Sequence, residues 1–335
     1  MSASLIFITG ATGFIGSQIA SSVLKAGYRV RLSVRREEQI QKLQEAFSAF
    51  ADQLQFILIP DFTKKNAFAD AVVGVDYVIH VASPMVGQGV DFQKDYINPA
   101  VQGTLSVLDA AKETPSIKRV LITSSILALL PLEALFSMAR DGLVVRERAG
   151  IDLPVDLNME FPEGLPGHTK KYHGSKVLAH QATEDWVKKN KPSFKVLTLH
   201  PSFVTGPSLL QKKAEEADSI NYLFLDFVRT GNITFPPVLV DVRDVAEAFY
   251  RALTAPVPAD FQEFVLSGVT TSWNEIAELV QKLYPAAGFK LKPPVEGAPT
   301  MSAETKAADE ILGMKWRSLE ELIRGVVDVQ LAFKA

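Results

Sequence analysis

Tyr172 and Lys176 stand four residues apart in the run Tyr172-His173-Gly174-Ser175-Lys176. On a helix that spacing puts both on one face. A free phenol, with a pKa of ~10, is a poor acid–base catalyst near neutrality. An adjacent ammonium stabilises phenolate, and a fall of about 3 units corresponds to roughly 4 kcal/mol of differential stabilisation. A phenol tuned in this way can give its proton to a carbonyl oxygen as a hydride reaches the carbon. The pair alone is also what an ordinary exposed helix face looks like. Ser125 alters the reading. It ends Thr123-Ser124-Ser125 at the carboxyl end of an apolar strand, where ligands of doubly wound sheets bind. A hydroxyl there can bond both a substrate carbonyl and the Tyr172 oxygen; its plainer role would be a helix cap.

A second group binds rather than reacts. Thr9-Gly10-Ala11-Thr12-Gly13-Phe14-Ile15-Gly16 lies between the first strand and the first helix, the context a dinucleotide fingerprint requires. Gly10 permits the tight turn, Gly13 lets the backbone approach a pyrophosphate, and Gly16 allows close helix–sheet packing. The helix N-terminus adds free N–H groups and the positive end of its dipole. An NAD site usually carries an acid about 20 residues further on. Here the second strand ends in Arg35-Arg36, and a guanidinium binds a 2′-phosphate that a carboxylate would repel. Lys42 is placed to assist. The expected cofactor is NADP.

Histidine is the usual candidate for a general base. His80, however, lies within an apolar strand, and His173 follows Tyr172 directly on a helix and so points elsewhere. No catalytic role is assigned to either, or to His200. Asp241, Arg243 and Asp244 read as a cap and salt bridges at a helix start.

The elements that must position these residues alternate. Leu5–Ile8, Arg29–Val34, Leu54–Ile59, Tyr77–Val81 and Val120–Ser124 read as strands. Phe14–Ala26, Glu37–Phe50, Lys64–Val72 and Val101–Lys112 read as helices. Such alternation, with nearly continuous apolar strands, means a parallel sheet covered on both faces. The rhythm breaks over 126–168, then resumes with a helix at 170–189 and a strand at 195–199. Helices are expected near 208–229, 244–254, 272–284, 304–312 and 318–332. The expected division is a nucleotide-binding unit of 1–201 plus about 240–255, and a smaller substrate-binding unit of 202–239 plus 256–335. At 335 residues, 47% hydrophobic and 22% charged, the chain has material for both. A net charge of −3 offers no basic footprint for nucleic acid or membrane. There is no cysteine, hence no disulfide or thiolate metal site, and no metal is expected. With no leader pattern, and no apolar run of ~18 residues, the default location is cytoplasmic. A monomer or homodimer is expected, with a small-molecule carbonyl substrate as partner.

In these segments the chain resembles the extended short-chain dehydrogenase/reductases. Within them it is most similar to the branch of dihydroflavonol reductases, yeast-type aldehyde (methylglyoxal) reductases and ketoreductases. The resemblance runs through TGATGFIG at 9–16, GYRVRLSVR at 27–35, YVIHVASP at 77–84, PAVQGTLSVLDAA at 99–111, KRVLITSS at 118–125, YHGSK at 172–176, HPSFVTGP at 200–207, VDVRDVAEA at 240–248 and KWRSLEELI at 315–323. It implies a doubly wound α/β (Rossmann) fold with a smaller C-terminal substrate-binding domain. It also implies roles. Asp61 and Phe62 would contact adenine, and Arg35 and Lys42 would hold the ribose phosphate. Ala82, Ser83, Pro84 and Ser124 would line the cofactor near the nicotinamide, and Lys176 would bond its ribose. Pro201 and Ser202 would flank the carboxamide, with Phe203 and Val204 as an apolar wall. Ser125, Tyr172 and Lys176 would be the catalytic set.

The chain departs from the family after Ser125, where many relatives continue Ala-Gly-Thr. Here Ile126-Leu127-Ala128-Leu129-Leu130 makes the turn apolar. The expected substrate pocket is therefore Met85, Ile126, Leu127, Leu129 and Leu130, suited to a small apolar carbonyl. Phe136, Met138, Leu143, Met159 and Phe161 are either pocket or lid residues or ordinary loop packing. Two other functions compete. A sugar-nucleotide epimerase or dehydratase would often carry Asn where Ala100 stands, and would need bases such as Lys212, Lys213 and Arg229 for a diphosphate. A non-catalytic NADP sensor would tend to lose the Tyr–Lys pair.

Overall fold

Leu5–Thr9 (β1) is five residues with no polar face, and it forms a fully buried interior strand of the sheet. The computed structural model describes residues 3–64, 66–83, 89–136, 142–147 and 153–333. After β1 come α1 (Phe14–Lys25), β2 (Arg29–Val34), α2 (Glu38–Ala46), β3 (Leu54–Leu58), β4 (Tyr77–His80), α3 (Asn98–Lys112) and β5 (Arg119–Thr123). Then follow α4 (Glu133–Phe136), β6 (Val144–Val145), α5 (Leu165–Asn190), β7 (Lys195–Pro201), β8 (Phe203–Thr205) and α6 (Ser219–Thr230). The chain closes with β9 (Leu239–Asp241), α7 (Val242–Ala252), β10 (Phe261–Leu266), α8 (Trp273–Leu283), β11 (Ser302–Ala303), α9 (Lys306–Ile311) and α10 (Leu319–Ala332).

Seven strands form one parallel sheet in the order β10-β7-β5-β4-β1-β2-β3. Alternate residues of β1 feed opposite faces. Ile6 and Ile8 pack with α1 and α7, whereas Leu5 and Phe7 pack with α3 and the end of α5. From β1 the chain first winds one way, to β2 and β3, and then the other way from β4. The carboxyl ends of β1 and β4 therefore flank the topological switch point, where such sheets bind ligands. A third apolar cluster, from α6, α8 and α10, gathers Phe224, Phe227, Trp273, Ile276 and Ile323 away from the sheet.

Four expectations are corrected. Residues 37–50 are not one helix: α2 stops at Ala46 and a 3-10 turn spans Ser48–Gln53, so that Phe47 is buried in the core and Phe50 packs against it. Within the helix expected at 64–72, residues 66–72 form a chain of turns, with Asn66 at φ 60°. The turns tuck Phe68 edge-on against Phe7 and His80, a burial that an apolar count alone reads as a helix. Between 208 and 229 the helix begins only at Ser219. Finally, Phe261–Leu266 pairs with β7 along the sheet edge, and Ala308, Leu312 and Met314 join the sheet's core. The part of the expected division that gave all of 256–335 to the smaller unit is thereby overturned. The Asp241–Asp244 reading stands. Asp241 caps α7, accepting from the Arg243 amide at 2.8 Å, and Asp244 pairs with Arg317.

Candidate active site

The turn after β1 is built by two glycines. Gly10 has φ +77°, and a Cβ there would lie 2.7 Å from the Ala82 amide nitrogen, so β1 and β4 meet closely only because Gly10 has no side chain. A Cβ on Gly16 would come within 2.2 Å of the Gly10 carbonyl oxygen. Thr9 ties the two strand ends together. Its Oγ1 accepts from the Val81 and Ala82 amides, both at 3.1 Å, and faces His80 Nδ1 at 2.9 Å. Burial first, and the Lys176 cation second, push the His80 imidazole down to about 3, so it is neutral and accepts the Thr9 hydroxyl proton. The N-terminus of α1 carries no side-chain cap and no acid in its first turn. Its free N–H groups and dipole therefore suit an anion.

Beyond this turn lies a cavity of about 420 Å³ lined by Arg35, Pro60, Asp61, Phe62, Thr63, Lys94, Asn98, Pro99 and Gln102. The Arg35 guanidinium lies 5.0 Å from the Phe62 ring centroid. Thr63 donates to Asp61 Oδ1 from its amide at 2.9 Å and its hydroxyl at 2.6 Å, which holds the Asp61 carboxyl below the usual range. Gly103, in mid-helix α3, makes room for Phe62: a Cβ there would be 2.7 Å from the ring. Lys42 is exposed on α2 and does not line this cavity. The second cation there is Lys94, which sequence reasoning missed because it sits on a π-helical turn, Phe92–Ile97, that no periodicity signals.

Ser125, Tyr172 and Lys176 come together from β5 and α5. Ser125 follows β5 and caps a short turn, Ile126–Leu129, by accepting from the Leu127 amide at 3.2 Å. The capping role is therefore present, and the Ser125 hydroxyl also lies beside the Tyr172 phenol, where it opposes the rise of the phenol's pKa. Lys176 is buried; its Nζ donates to the Thr123 carbonyl at 3.4 Å and lies 5.5 Å from the Tyr172 ring centroid.

The expected electrostatics need correction. Burial pushes the Tyr172 phenol up to about 12, against the opposing bond from Ser125, and burial pulls the Lys176 ammonium down to about 8. Desolvation is the largest effect on both groups, and it outweighs the attraction of an ammonium for a phenolate. At neutral pH the phenol is protonated and the lysine is mostly charged, which is the state that donates a proton.

The apolar turn is also corrected. Ile126, Leu129 and Leu130 are buried at 1–2% exposure and pack with Val145, Val238 and Val265, so they underpin the site as core rather than line a pocket. Leu127 is half-buried. Leu143 packs on this cluster and Phe161 packs edge-on against Phe92, both as ordinary loop contacts. Met159 is half-buried. Pro84, Met85 and Met138, and the Phe136 side chain, lie outside the described residues.

Ala82, Ser83 and Ser124 line a smaller cavity beside Lys176. Pro201 ends β7. Ser202 donates its amide to Leu266, Phe203 stacks on Phe235 at 4.0 Å, and Val204 is buried in the sheet core.

The histidines serve the frame. His173 Nε2 donates to the Leu130 carbonyl at 2.8 Å, directed away from Tyr172 as expected. His200 Nδ1 donates to the Ser125 carbonyl at 3.1 Å, and its Nε2 faces Thr198 Oγ1 at 2.9 Å. Burial and the neighbouring His180 hold His200 well below its usual pKa. His180 itself was overlooked, although it extends the 172–176 spacing by another four residues. With His200 and Glu263 it makes a buried trio whose potential ligand atoms lie within 4.8 Å of one another. No helix among the described residues is long and apolar enough to cross a membrane.

Comparison with known proteins follows the same lines. The profile of the NAD dependent epimerase/dehydratase family matches residues 6–134. A ketoreductase of Aspergillus fumigatus is 39% identical, covering 98% of each chain. An uncharacterised oxidoreductase of Schizosaccharomyces pombe is 31% identical over 96% of this chain and 95% of its own. Among solved structures, yeast methylglyoxal/isovaleraldehyde reductase complexed with NADPH superposes with a TM-score of 0.80 at 23% identity, covering 98% of this chain and 99% of that one. Alfalfa vestitone reductase gives 0.73 at 22% identity, over 97% of each chain.

Proposed function

From the chain's membership of the NAD dependent epimerase/dehydratase family, in its extended short-chain dehydrogenase/reductase branch, we propose that it is an NADPH-dependent reductase of small, largely apolar ketones or aldehydes. The observation that carries this reading is the meeting of Ser125, at the carboxyl end of β5, with Tyr172 and the buried Lys176, whose Nζ lies 5.5 Å from the Tyr172 ring centroid. The chain's own features fit the dinucleotide. The uncapped α1 N-terminus and the Gly10–Gly16 turn suit the pyrophosphate. The 420 Å³ cavity, with Phe62 for a base and Arg35 and Lys94 for a phosphate, suits the adenosine half.

When bound, the cofactor supplies the hydride. The chain does the rest. Ser125 bonds the carbonyl oxygen and holds it toward Tyr172. Tyr172, protonated at neutral pH because its pKa is near 12, donates a proton to that oxygen as charge grows there. Lys176 restores the phenol's proton from its ammonium and anchors the ribose. Half-buried Leu127 and Phe203 support an apolar substrate, with the smaller unit built around α6, α8 and α10 next to Phe203. Two of the bases that a sugar-nucleotide reading would need are otherwise engaged, Lys212 with Glu45 and Arg229 with Asp226.

The test is NADPH consumption with a panel of apolar and polar carbonyls, for the wild type and Tyr172→Phe. Turnover of apolar ketones or aldehydes is expected, with kcat lower by about 10²–10⁴ in the variant and NADPH affinity unchanged. A variant retaining more than half of the wild-type rate would show that another group donates the proton.

A further inference from the structure

The cavity beside Lys176 that Ala82, Ser83 and Ser124 line, about 20 Å³ between α3, α5 and the sheet, is also walled by Thr123, His180, Thr183, Thr198 and His80. That volume holds one water molecule, provided that two to four polar groups receive it. Two polar atoms of its lining, Thr123 Oγ1 and His180 Nδ1, are buried and meet no hydrogen-bond partner among the described residues. An unmet buried polar atom costs on the order of 1–3 kcal/mol, so two around one small cavity need a common explanation. The third polar neighbour is the Lys176 ammonium, which has three hydrogens to donate and, among the described residues, makes one hydrogen bond, 3.4 Å long, to Thr123 O.

We propose that this cavity is a water site, and that Thr123, His180 and Glu263 are positioning residues which use that water to hold the Lys176 ammonium in place and charged. The inference rests on the reductase reading for its catalytic meaning. His180 Nε2 lies 2.7 Å from Glu263 Oε1. A carboxylate oxygen accepts, so Nε2 carries the ring hydrogen and Nδ1 turns a lone pair to the cavity. The water accepts from Lys176 and donates to His180 Nδ1 and to Thr123 Oγ1. Glu263 thus reaches the catalytic lysine from the sheet's edge strand by fixing a tautomer.

The His180–His200–Glu263 trio is poorly suited to a metal instead. Both nitrogens of His200 are already engaged, and the Lys176 cation adjoins the site. The titratable groups facing Lys176 are Tyr172 and His180 on its own helix, His80 on β4 and His200 on β7, with Glu263 behind His180. His80 and His200 stay neutral through the working range, so they leave the ammonium unbalanced and dependent on solvation.

The sign follows from hydrogen bonding to the charged form, which favours it. Burial brings Lys176 down to about 8, the water opposes that fall, and loss of the water lets the ammonium lose its proton at lower pH. Thr123→Val removes one partner of the water at nearly constant volume. Glu263→Leu releases the His180 tautomer, whereas Glu263→Gln keeps an amide oxygen to accept from Nε2. The alkaline limb of the kcat–pH profile for reduction should move down by roughly one pH unit in Thr123→Val and Glu263→Leu, and stay in place in Glu263→Gln. Wild-type crystals should show density for one water within hydrogen-bonding reach of Thr123 Oγ1, His180 Nδ1 and Lys176 Nζ. An empty cavity, an anomalous metal peak, a Thr123→Val profile superimposable on the wild type, or a Glu263→Gln shift equal to that of Glu263→Leu would each overturn the proposal. A wild type that reduces no carbonyl would sink the reductase reading, while the crystallographic density would still decide the water site.

Discussion

Replacing Lys176 by methionine should stabilise the fold while abolishing reduction. Lys176 is 5% exposed, and burial lowers the pKa of its ammonium from the usual 10.5 to about 8. A base whose pKa falls on folding binds its proton more weakly in the native state, so the protonated native state is penalised. The penalty is present in full below pH 8, shrinks as the pH rises from 8 to 10.5, and vanishes above that. At ~1.36 kcal/mol for each tenfold change in proton affinity, it amounts to about 3 kcal/mol. The bond to Thr123 O that the variant loses is long at 3.4 Å and contributes less than about 1 kcal/mol. Methionine fills much of the same space without a charge. Urea unfolding, followed by the fluorescence of Trp186, Trp273 and Trp316, should show the variant more stable by about 2–3 kcal/mol at about pH 6, the lower figure if a water solvates the ammonium. The gap should close by about pH 10.5. Equal or lower stability at the acidic end, or a gap that does not change with pH, would refute the reasoning.

Arg35→Ala should raise the KM for NADPH at least about tenfold and leave that for NADH nearly unchanged, because a 2′-phosphate loses its bidentate partner; steady-state kinetics with both cofactors checks this. Gly103→Ala puts a methyl 2.7 Å from the Phe62 ring and should push it into the adenosine cavity. NADPH binding, measured by calorimetry, should weaken about tenfold while kcat at saturation holds. Leu129→Ser should cost about 3–5 kcal/mol in denaturant unfolding, by removing a buried apolar side chain and burying a hydroxyl, with the substrate profile of the folded enzyme unchanged. A changed profile at unchanged stability would return Leu129 to the pocket wall.

Six of the sheet's seven strands and the phosphate-binding turn were legible in the residue pattern, since both rest largely on local rules. A strand with no polar face, such as Leu5–Thr9, must be buried on both sides, Gly16 is required by the Gly10 carbonyl a few residues before it, and Gly10 by its own positive φ, whereas the crowding of Gly10 by Ala82 is a product of the fold. Tyr172 and Lys176 were legible because four residues is one helical turn, and Ser125 because it follows a strand end. The resemblance added roles at Asp61, Phe62 and Arg35, which line one cavity.

The rest depends on what distant segments bury against one another. Phe68 leaves helical geometry to pack on Phe7 and His80. The strand Phe261–Leu266 finds its place beside β7, about sixty residues earlier in the chain. Ile126, Leu129 and Leu130 prove to be core because Val145, Val238 and Val265 cover them, and no sequence pattern separates a covered apolar turn from an open one. The protonation of the site was least legible. The i, i+4 spacing argues for an ammonium that lowers the phenol, but the outcome depends on how much water is excluded and where Nζ points. Burial pushes Tyr172 up to about 12 and Lys176 down to about 8, and brings His180 and Glu263 from separate elements into the lysine's surroundings. Spacing fixes which groups can meet; desolvation, which no local window contains, sets their charge.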